Sequence, residues 1–219
     1  MFVEIPRHFL ASINTENDRT PMYFSGNVLL RECFWLRLRL LYALIRLHGH
    51  GRRNCLDFGG GKGVFLPTLS PMFGTVSCID LDCAEARDVV AHYRLPNVAL
   101  HERDIGAADL AEAPFDAIVA ADVLEHFLDP APAVAAIGRW LAPDGVLFTS
   151  LPTENWVYVM LRKVFGITKP PDHYHTGYEV EAYLAAHGFR RVRRLFVPLV
   201  LQLAPLFIVS AWRRDRDGE

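Results

Sequence analysis

The sequence lacks the cysteine pattern of a metal or dithiol site. It contains four cysteines, but no two of them form a C-x-x-C pair, so neither a structural zinc site nor a redox dithiol is predicted. Three of the four lie in apolar surroundings, where a buried free thiol is typical. A reducing, cytoplasmic setting is therefore expected. The cysteines are Cys33, Cys55, Cys78 and Cys83.

An excess of charge is also lacking. The formal net charge is −2 and the pI is near 6.5, whereas a nucleic-acid-binding domain is usually strongly basic. The sequence contains neither an N-P-P-Y-type tetrad nor a basic appended domain. We therefore expect no nucleic-acid partner.

No apolar stretch is continuous enough to cross a membrane. Residues 29–49 are interrupted by four arginines, and a charge at the bilayer centre costs about 2.5–3.5 kcal/mol on insertion scales. Residues 195–212 are nearly free of charge, but Pro198 and Pro205 divide them into two runs, which fit two buried strands joined by a turn. The four arginines are Arg31, Arg37, Arg39 and Arg46.

What the sequence does contain is the pattern of one α/β domain behind a helical segment. Residues 1–50 read as helical, and from residue 51 to 219 short β-branched runs alternate with helical stretches, which is typical of a parallel sheet with crossover helices. Residues 152–175 are aromatic and are predicted to be an irregular insertion. Thr176 and Glu179 form a capping box that starts the last helix, and Gly188 is positioned to end it.

A glycine-rich turn follows the first predicted strand, in the sequence CLDFGGGKGVF at residues 55–65. A phosphate-binding P-loop is excluded because Gly63 follows Lys62, where Ser or Thr is required. The dinucleotide pattern G-x-G-x-x-G matches only in part, because its third glycine falls on Val64 or Leu66 in the two registers.

The turn fits a different pattern, D-x-G-x-G-x-G, after a strand and at the start of a helix. This pattern resembles the first motif of the class I S-adenosylmethionine-dependent methyltransferases. The resemblance implies that the turn holds the methionine part of that cofactor. The chain departs from the family at Gly60, where Cys, Ala or Ser is frequent, and at Lys62, where Thr or Ser is common. The pattern comprises Asp57, Gly59, Gly61 and Gly63.

Four further stretches resemble the later motifs of this family. Asp80 ends the second strand, and the resemblance implies that it binds both ribose hydroxyls, with Leu81 beside it. Asp104 corresponds to the acid near the adenine amino group, with the backbone of Ile105 alongside. FDAIVAADVLEHFLDP, which includes Asp122, resembles the fourth-strand motif of the small-molecule and quinone branch, and LAPDGVLFTSLP resembles the motif that follows it. Asp80 alone does not distinguish this family from dinucleotide enzymes.

The resemblance implies a fold and a reaction. The fold is a Rossmann-like, doubly wound, seven-stranded and mostly parallel sheet with helices on both faces. Its last strand is antiparallel beside the fifth, and residues 1–50 form a lid over the carboxyl edge. The implied function is methyl transfer from S-adenosyl-L-methionine to a small-molecule or lipid-like acceptor, through an O, C or N atom. Two alternatives stay open: an NAD(P)-dependent oxidoreductase, and a non-catalytic S-adenosylmethionine-binding protein.

No general base is assigned by the sequence. His126, in VLEH, and His173 and His175, in PPDHYHTGY, are the candidates. The H-x-H spacing shows no third ligand, so no metal site is predicted. We expect the loop around these two histidines to form a wall of the acceptor pocket.

The nature of the acceptor is indicated only by composition. The arginine-bearing apolar helix at 29–47 and the aromatic insertion at 156–165 favour an apolar acceptor, such as a lipid or quinone precursor. Basic residues on an apolar helix also suit a membrane surface. A helix that covers the sheet and extends its arginines to water explains them equally well. The oligomeric state is not predicted.

Overall fold

The computed structural model describes most of the chain. Within the described residues, the predicted α/β architecture is present. Two predicted features fall partly outside them, namely the insertion, at 165–172, and the turn between the last two strands, at 199–203. The described residues are 1–13, 21–49, 51, 53–105, 109–164, 173–198 and 204–215.

Seven strands form one sheet in the order β3-β2-β1-β4-β5-β7-β6. The first five strands are parallel, and β7 is antiparallel to both β5 and β6. This confirms the mostly parallel sheet and the antiparallel last strand beside the fifth. The strands are β1 (Asn54–Phe58), β2 (Thr75–Asp80), β3 (Val98–Glu102), β4 (Phe115–Ala121), β5 (Leu141–Pro152), β6 (Phe189–Val197) and β7 (Phe207–Arg214).

The helices begin and end largely where local signals place them. At the last helix, Thr176 Oγ1 accepts from the Glu179 N–H while the Glu179 carboxylate accepts from the Thr176 N–H, which confirms the capping box. Gly188 follows that helix with a φ of +81°. The helices are α1 (Arg7–Ser12), α2 (Val28–His48), α3 (Leu66–Leu69), α4 (Ala84–Tyr93), α5 (Ala131–Trp140), α6 (Trp156–Val164) and α7 (Gly177–Ala186).

Alternation along the strands sends apolar side chains to both faces of the sheet. In β4, Val119 joins one core cluster, whereas its neighbours Ile118 and Ala120 join the other. Helices α2, α3 and α4 cover the first face, and α5 and α7 cover the second. The helices therefore lie on both faces, as expected for a doubly wound sheet.

Helix α2 is the helix predicted within residues 1–50. Its buried side chains, including Leu38, Leu41 and Leu44, belong to the core of the first face, so the helix is a structural layer of the domain. At the carboxyl edge of the sheet, Arg37 of this helix pairs with Asp122 just after β4. These buried apolar side chains of α2 therefore pack against the sheet.

The insertion was predicted to be irregular, but it contains a helix. Residues 156–164 form helix α6, which Asn155 helps to start by accepting the Tyr158 N–H at 2.9 Å. Trp156 and Met160, four residues apart, are exposed. Within the described part of the chain, no helix combines the length and apolar character that a membrane span requires.

The turn after β1 lies directly against the segment after β4. Gly59 has a φ of +70°, and a Cβ built on it would lie 2.2 Å from Val123 Cγ2. Only glycine fits this position, because L residues rarely adopt such a φ and no side chain has room.

Gly59→Ala is expected to lower the free energy of unfolding by at least about 2 kcal/mol, through strain and overpacking. Gly138→Ala is the matched control, because Gly138 lies inside α5 and its Cβ would meet nothing within 4 Å. That control is expected to raise stability by about 0.5–1 kcal/mol. Urea unfolding without cofactor measures the free energy of unfolding of both variants. Equal changes in that free energy would contradict the close approach of Val123 to Gly59.

Candidate cofactor and acceptor site

The glycine turn joins the carboxyl ends of β1 and β2. The Gly59 N–H donates to the Ile79 carbonyl at 2.8 Å, and the Gly61 N–H donates to Asp80 Oδ2 at 2.8 Å. Gly61 has a φ of +50°, and the nearest atom to a Cβ built on it is Asp80 Oδ2, 4.0 Å away. The surface above Gly61 is therefore open, which fits a ligand that lies across the turn and reaches Asp80.

Beneath the turn, Asp57 and Cys78 leave no room for a side chain at position 60. A Cβ on Gly60 would lie 2.5 Å from Cys78 Sγ and 2.8 Å from Asp57 Oδ2. This packing explains why Gly60 replaces the small side chains frequent in the family. Burial, reinforced by the charge of Asp80, raises the pKa of Asp57 to about 7.

Lys62 points away from the open side of the turn. Its ammonium lies 3.8 Å from Glu85 Oε1 in α4 and 5.6 Å from the ring centroid of Phe24. Only 7% of the lysine is exposed. Lys62 thus ties the turn to α4 and to the short 3-10 turn at Pro21–Phe24 before α2.

The other predicted cofactor residues lie along the same edge of the sheet. The exposed Leu81 follows Asp80, and the Arg103 N–H donates to the Asp80 carbonyl at 2.9 Å, which brings the end of β3 close. Asp104 is exposed and Ile105 is buried directly after it. The cofactor residues implied by the resemblance therefore follow consecutive strands β1, β2 and β3, and Asp122 follows β4.

Asp122 has a partner that the sequence did not indicate. It forms an ion pair with Arg37 of α2, only 2% of which is exposed. Arg37 Nη2 also donates to the Tyr23 hydroxyl at 2.6 Å, and its guanidinium lies over the Phe34 and Phe207 rings. Because a buried arginine needs a counter-charge, Asp122 is partly neutralised by α2.

An acid–histidine cluster lies immediately beyond Asp122. It contains Glu125 and His126 after β4, Glu154 after β5, Arg162 of α6, and His173. His173 Nδ1 lies 3.2 Å from Glu154 Oε1, and Arg162 Nη1 lies 3.0 Å from Glu154 Oε2. The rings of His126 and His173 meet edge to face with centroids 4.5 Å apart.

Glu125 is the member of this cluster with an unsatisfied carboxyl group. It is 0% exposed, and among the described residues neither carboxyl oxygen has a hydrogen-bond partner. Burial raises its pKa to about 7. Ligand atoms of Glu125, His126 and His173 lie within 4.8 Å of one another, so the fold groups three potential metal ligands, of which only His173 belongs to the H-x-H pair.

His175 is separate from this cluster. Its Nε2 lies 3.3 Å from the Leu128 carbonyl oxygen, so the fold brings together two of the three candidate histidines. Sequence reasoning missed Arg37, Glu154 and Arg162. For Arg37 a signal existed, because it stands four residues before Leu41 on the buried side of α2.

The fold and the glycine turn are those of the class I S-adenosylmethionine-dependent methyltransferases, whose cofactor is S-adenosyl-L-methionine. A model of the methyltransferase domain family matches residues 29–194, and the chain belongs to that family. The matched range includes the glycine turn, the acids Asp80, Asp104 and Asp122, and the acid–histidine cluster. The dinucleotide alternative is thereby set aside.

Among curated proteins, the chain is similar to ubiquinone biosynthesis O-methyltransferases. That of Thiobacillus denitrificans is 32% identical over 129 residues, 58% of this chain and 54% of the relative. That of Alkalilimnicola ehrlichii is 34% identical over 118 residues, 52% of this chain and 48% of the relative. The chain therefore spans about half the length of the curated relatives it matches.

Solved structures confirm the fold. The N-methyltransferase NodS from Bradyrhizobium japonicum, in complex with S-adenosyl-L-homocysteine, matches with a TM-score of 0.68 at 21% identity, over 94% of this chain and 98% of that one. Magnesium protoporphyrin IX methyltransferase from Synechocystis also matches with a TM-score of 0.68, at 17% identity, over 89% of this chain and 91% of that one.

Glu125→Gln is expected to stabilise the protein in a pH-dependent way. Since the folded-state pKa of about 7 is above the ordinary 4.5, the wild type loses stability as pH rises from about 4.5 through 7, and the amide does not. The stability advantage of the variant should grow over this range and then level off. Thermal denaturation from pH 4.5 to 8.5 measures it.

Glu102→Gln is a control for which the change in stability with pH should have the opposite sign. Arg87 lowers the pKa of Glu102, so this variant should be less stable than the wild type above the ordinary carboxyl pKa. An advantage of Glu125→Gln that is independent of pH would contradict the assignment of a neutral buried carboxyl group.

Proposed function

We propose that this chain transfers the methyl group of S-adenosyl-L-methionine to a hydroxyl oxygen of an apolar small molecule. The observation that carries the proposal is the contact between Gly59 and Val123. It places the cofactor turn directly beside the segment that bears Glu125 and His126. A cofactor site and a buried acid–histidine cluster thus adjoin, as methyl transfer between two bound molecules requires.

On the cofactor side, the chain supplies position and electrostatics. The cofactor, when bound, supplies a methyl group activated by its sulfonium. In the proposed site, the backbone of Gly59, Gly60, Gly61 and Gly63 faces the methionine part, above Asp57. The Asp80 carboxylate accepts hydrogen bonds from the two ribose hydroxyls, for which a two-oxygen acceptor is well matched.

At the adenine end of the cofactor, the proposed contacts follow β3 and the end of β2. Leu81 packs on the adenine, and Asp104 with the Ile105 backbone binds its amino edge. Support comes from the placement of all three at the carboxyl edge, where open α/β sheets bind their ligands. Asp122, paired with Arg37, closes the site on the acceptor side.

On the acceptor side, His173 is proposed as the base. Its Nδ1 faces Glu154, itself ion-paired with Arg162, so an Nδ1–H donates to Glu154 and Nε2 is left to accept the acceptor's proton. The carboxylate then stabilises the imidazolium that forms. O-methylation is favoured because the curated relatives are O-methyltransferases.

An apolar acceptor is supported by the exposed side chains around the cluster. Leu128 and Trp156 are 75% and 73% exposed, and Met160 and Tyr174 are exposed as well. Trp156 and Met160 share α6 with Arg162, Leu128 is two residues after His126, and Tyr174 is next to His173. Such exposed apolar side chains suit the approach of a lipid-like molecule, and those of α6 would also suit contact with a membrane surface.

A non-catalytic S-adenosylmethionine-binding protein is the second candidate. It would retain the turn and Asp80 but produce no S-adenosyl-L-homocysteine with any acceptor. The buried Glu154–His173 pair argues for catalysis, because a pure binding protein has no need of an oriented histidine beside the cofactor turn.

Asp80→Ala is expected to weaken S-adenosyl-L-homocysteine binding at least about tenfold, which is about 1.4 kcal/mol. Asp80 also accepts the Gly61 N–H, so a double-mutant cycle separates the two roles. An S-adenosyl-L-homocysteine analogue without the ribose hydroxyls should lose less affinity on Asp80→Ala than the natural ligand does, because only the role in the turn is then lost. Calorimetry measures all four affinities.

Asp82→Ala is the matched control for Asp80, because the Asp82 carboxylate accepts the Ala84 N–H at the start of α4, and the backbone N–H that Asp82 donates to Asp80 remains in the variant. It should leave binding unchanged. If the analogue loses as much affinity as the natural ligand on Asp80→Ala, the ribose assignment is wrong.

His173→Ala is expected to lower the rate of methyl transfer at least about 100-fold, because a positioned base contributes that much. Cofactor affinity should stay within about twofold. The assay follows S-adenosyl-L-homocysteine formation with phenolic acceptors that do and do not carry an apolar tail. His175→Ala is the matched control and should retain full activity; full activity of His173→Ala would exclude the base role.

A further inference from the structure

The edge of the sheet at β6 carries a concentrated positive charge. β6 is the last strand in the sheet order, and β7 is its neighbour. Six of the 23 lysines and arginines of the chain lie in these two strands, although the net charge of the chain is −2. The six are Arg190, Arg191, Arg193 and Arg194 of β6, and Arg213 and Arg214 of β7.

A bulge distributes the arginines of β6 over both faces of the sheet. The register with β7 shifts between Arg191 and Arg193, so Val192 is an extra residue in β6. Without the bulge, Arg191 and Arg193 would share a face, because side chains alternate along a strand. With it, their partners in β7 belong to the cores of opposite faces. Arg190, Arg193 and Arg213 therefore lie on the first face, and Arg191 and Arg194 lie on the second.

The charge on the second face is partly neutralised within the domain. Glu181 of α7, which is 2% exposed, forms ion pairs with both Arg191 and Arg194. Ser210 Oγ donates a hydrogen bond to the same carboxylate. One carboxylate thus faces two guanidinium groups, and one positive charge is left in excess on this face.

On the first face, no acid pairs with the arginines in the part of the chain that the structure describes. Arg190 and Arg213 are directly opposite each other, and like charges in such cross-strand pairs are destabilising. Arg213 Nε is buried and has no hydrogen-bond partner among the described residues. Even with Asp215, which follows β7, counted against the arginines, positive charge is in excess.

Protection of the edge explains only part of this charge. Basic side chains on an edge strand are a common means of preventing unwanted pairing with other chains. Arg213, however, belongs to β7, which has a strand on each side. A basic residue of an internal strand, opposite a basic residue of the edge strand, adds charge that edge protection does not require. The surplus therefore indicates an anionic partner.

The arrangement fits an extended polypeptide better than a lipid surface or a nucleic acid. The arginines of β6 project to both faces of one strand, whereas a layer of phosphates would reach only one face. The outer edge of β6 also presents backbone N–H and C=O groups, which another backbone can pair in register. A second copy of the chain is disfavoured at this edge, because its β6 would present the same charges.

We propose that the outer edge of β6 is a docking site for an extended, acidic segment of another protein, which adds a strand to the sheet. In β6 the four arginines are followed by Leu195, Phe196 and Val197. Because directly opposite side chains interact across a strand pair, the fitting segment carries about four acidic residues in a row beside about three apolar ones. The proposal does not rest on the proposed function, since β5 and β7 separate β6 from β4.

The first measurement uses synthetic peptides of four Glu and three Val on the full chain. The two blocks are placed in both orders, for parallel and for antiparallel pairing, and an alternating Glu-Val peptide of equal composition, with all acids on one face, is the control. One block order should bind at least about tenfold more tightly than the control by calorimetry, and Pro at its centre should remove this advantage. If neither order exceeds the control, the docking site is overturned.

Arg190→Glu should affect stability and binding in opposite directions. It replaces the like-charge pair with an ion pair to Arg213, so the melting temperature should rise, whereas peptide affinity should fall at least about tenfold. Arg94→Glu is the matched control for net charge, because the exposed Arg94 follows α4, which packs on the opposite edge strand β3. This control should leave peptide affinity unchanged; equal losses in the two variants would exclude a site at β6.

Hydrogen exchange measured by mass spectrometry locates the bound peptide. Backbone amides of residues 189–197 should exchange more slowly with the peptide bound, and those of β3 should not change. Protection confined to β3 would contradict the proposal. Vesicles of phosphatidylglycerol test the lipid alternative: if they bind in an Arg190-dependent way while no peptide does, the surface belongs to a membrane partner and the proposal is overturned.

Discussion

The close approach of Val123 to Gly59 organises the carboxyl edge of the sheet. β1 and β4 are neighbours, so the chain leaves both strands at the same place, and a side chain at Gly59 would force the two exits apart. On one side of this contact lies the turn that reaches Asp80. On the other side, three residues of chain lead from Val123 to His126. A single glycine thus fixes the spacing between the proposed cofactor site and the proposed acceptor site.

The features that could be predicted from the sequence are those set by local backbone needs. A strand that runs into closely spaced glycines and then a helix permits few conformations, so the turn after β1 and the position of Asp80 at the end of β2 could be predicted. The capping box at Thr176 was accessible for the same reason, because its partners are three residues apart. The antiparallel strand beside the fifth was implied only by the family resemblance, and no local signal of its own predicted it.

The features that escaped prediction join distant parts of the chain. Arg37 pairs with Asp122, and Glu154 pairs with His173 from opposite ends of the insertion. The spacing of these residues along the sequence predicts neither pair. The insertion was predicted to be irregular because its aromatic residues obscured the helical period of α6.

Helix α2 carries a consequence for how the chain reaches this structure. Its apolar side packs on β5, β6 and β7, which all come from residues after 140. During synthesis the helix is therefore complete long before its partners exist, and contacts of such sequence separation form slowly. Helix α2 is therefore synthesised early and buried late. Until the sheet has formed, its apolar surface is exposed and must be kept from aggregating.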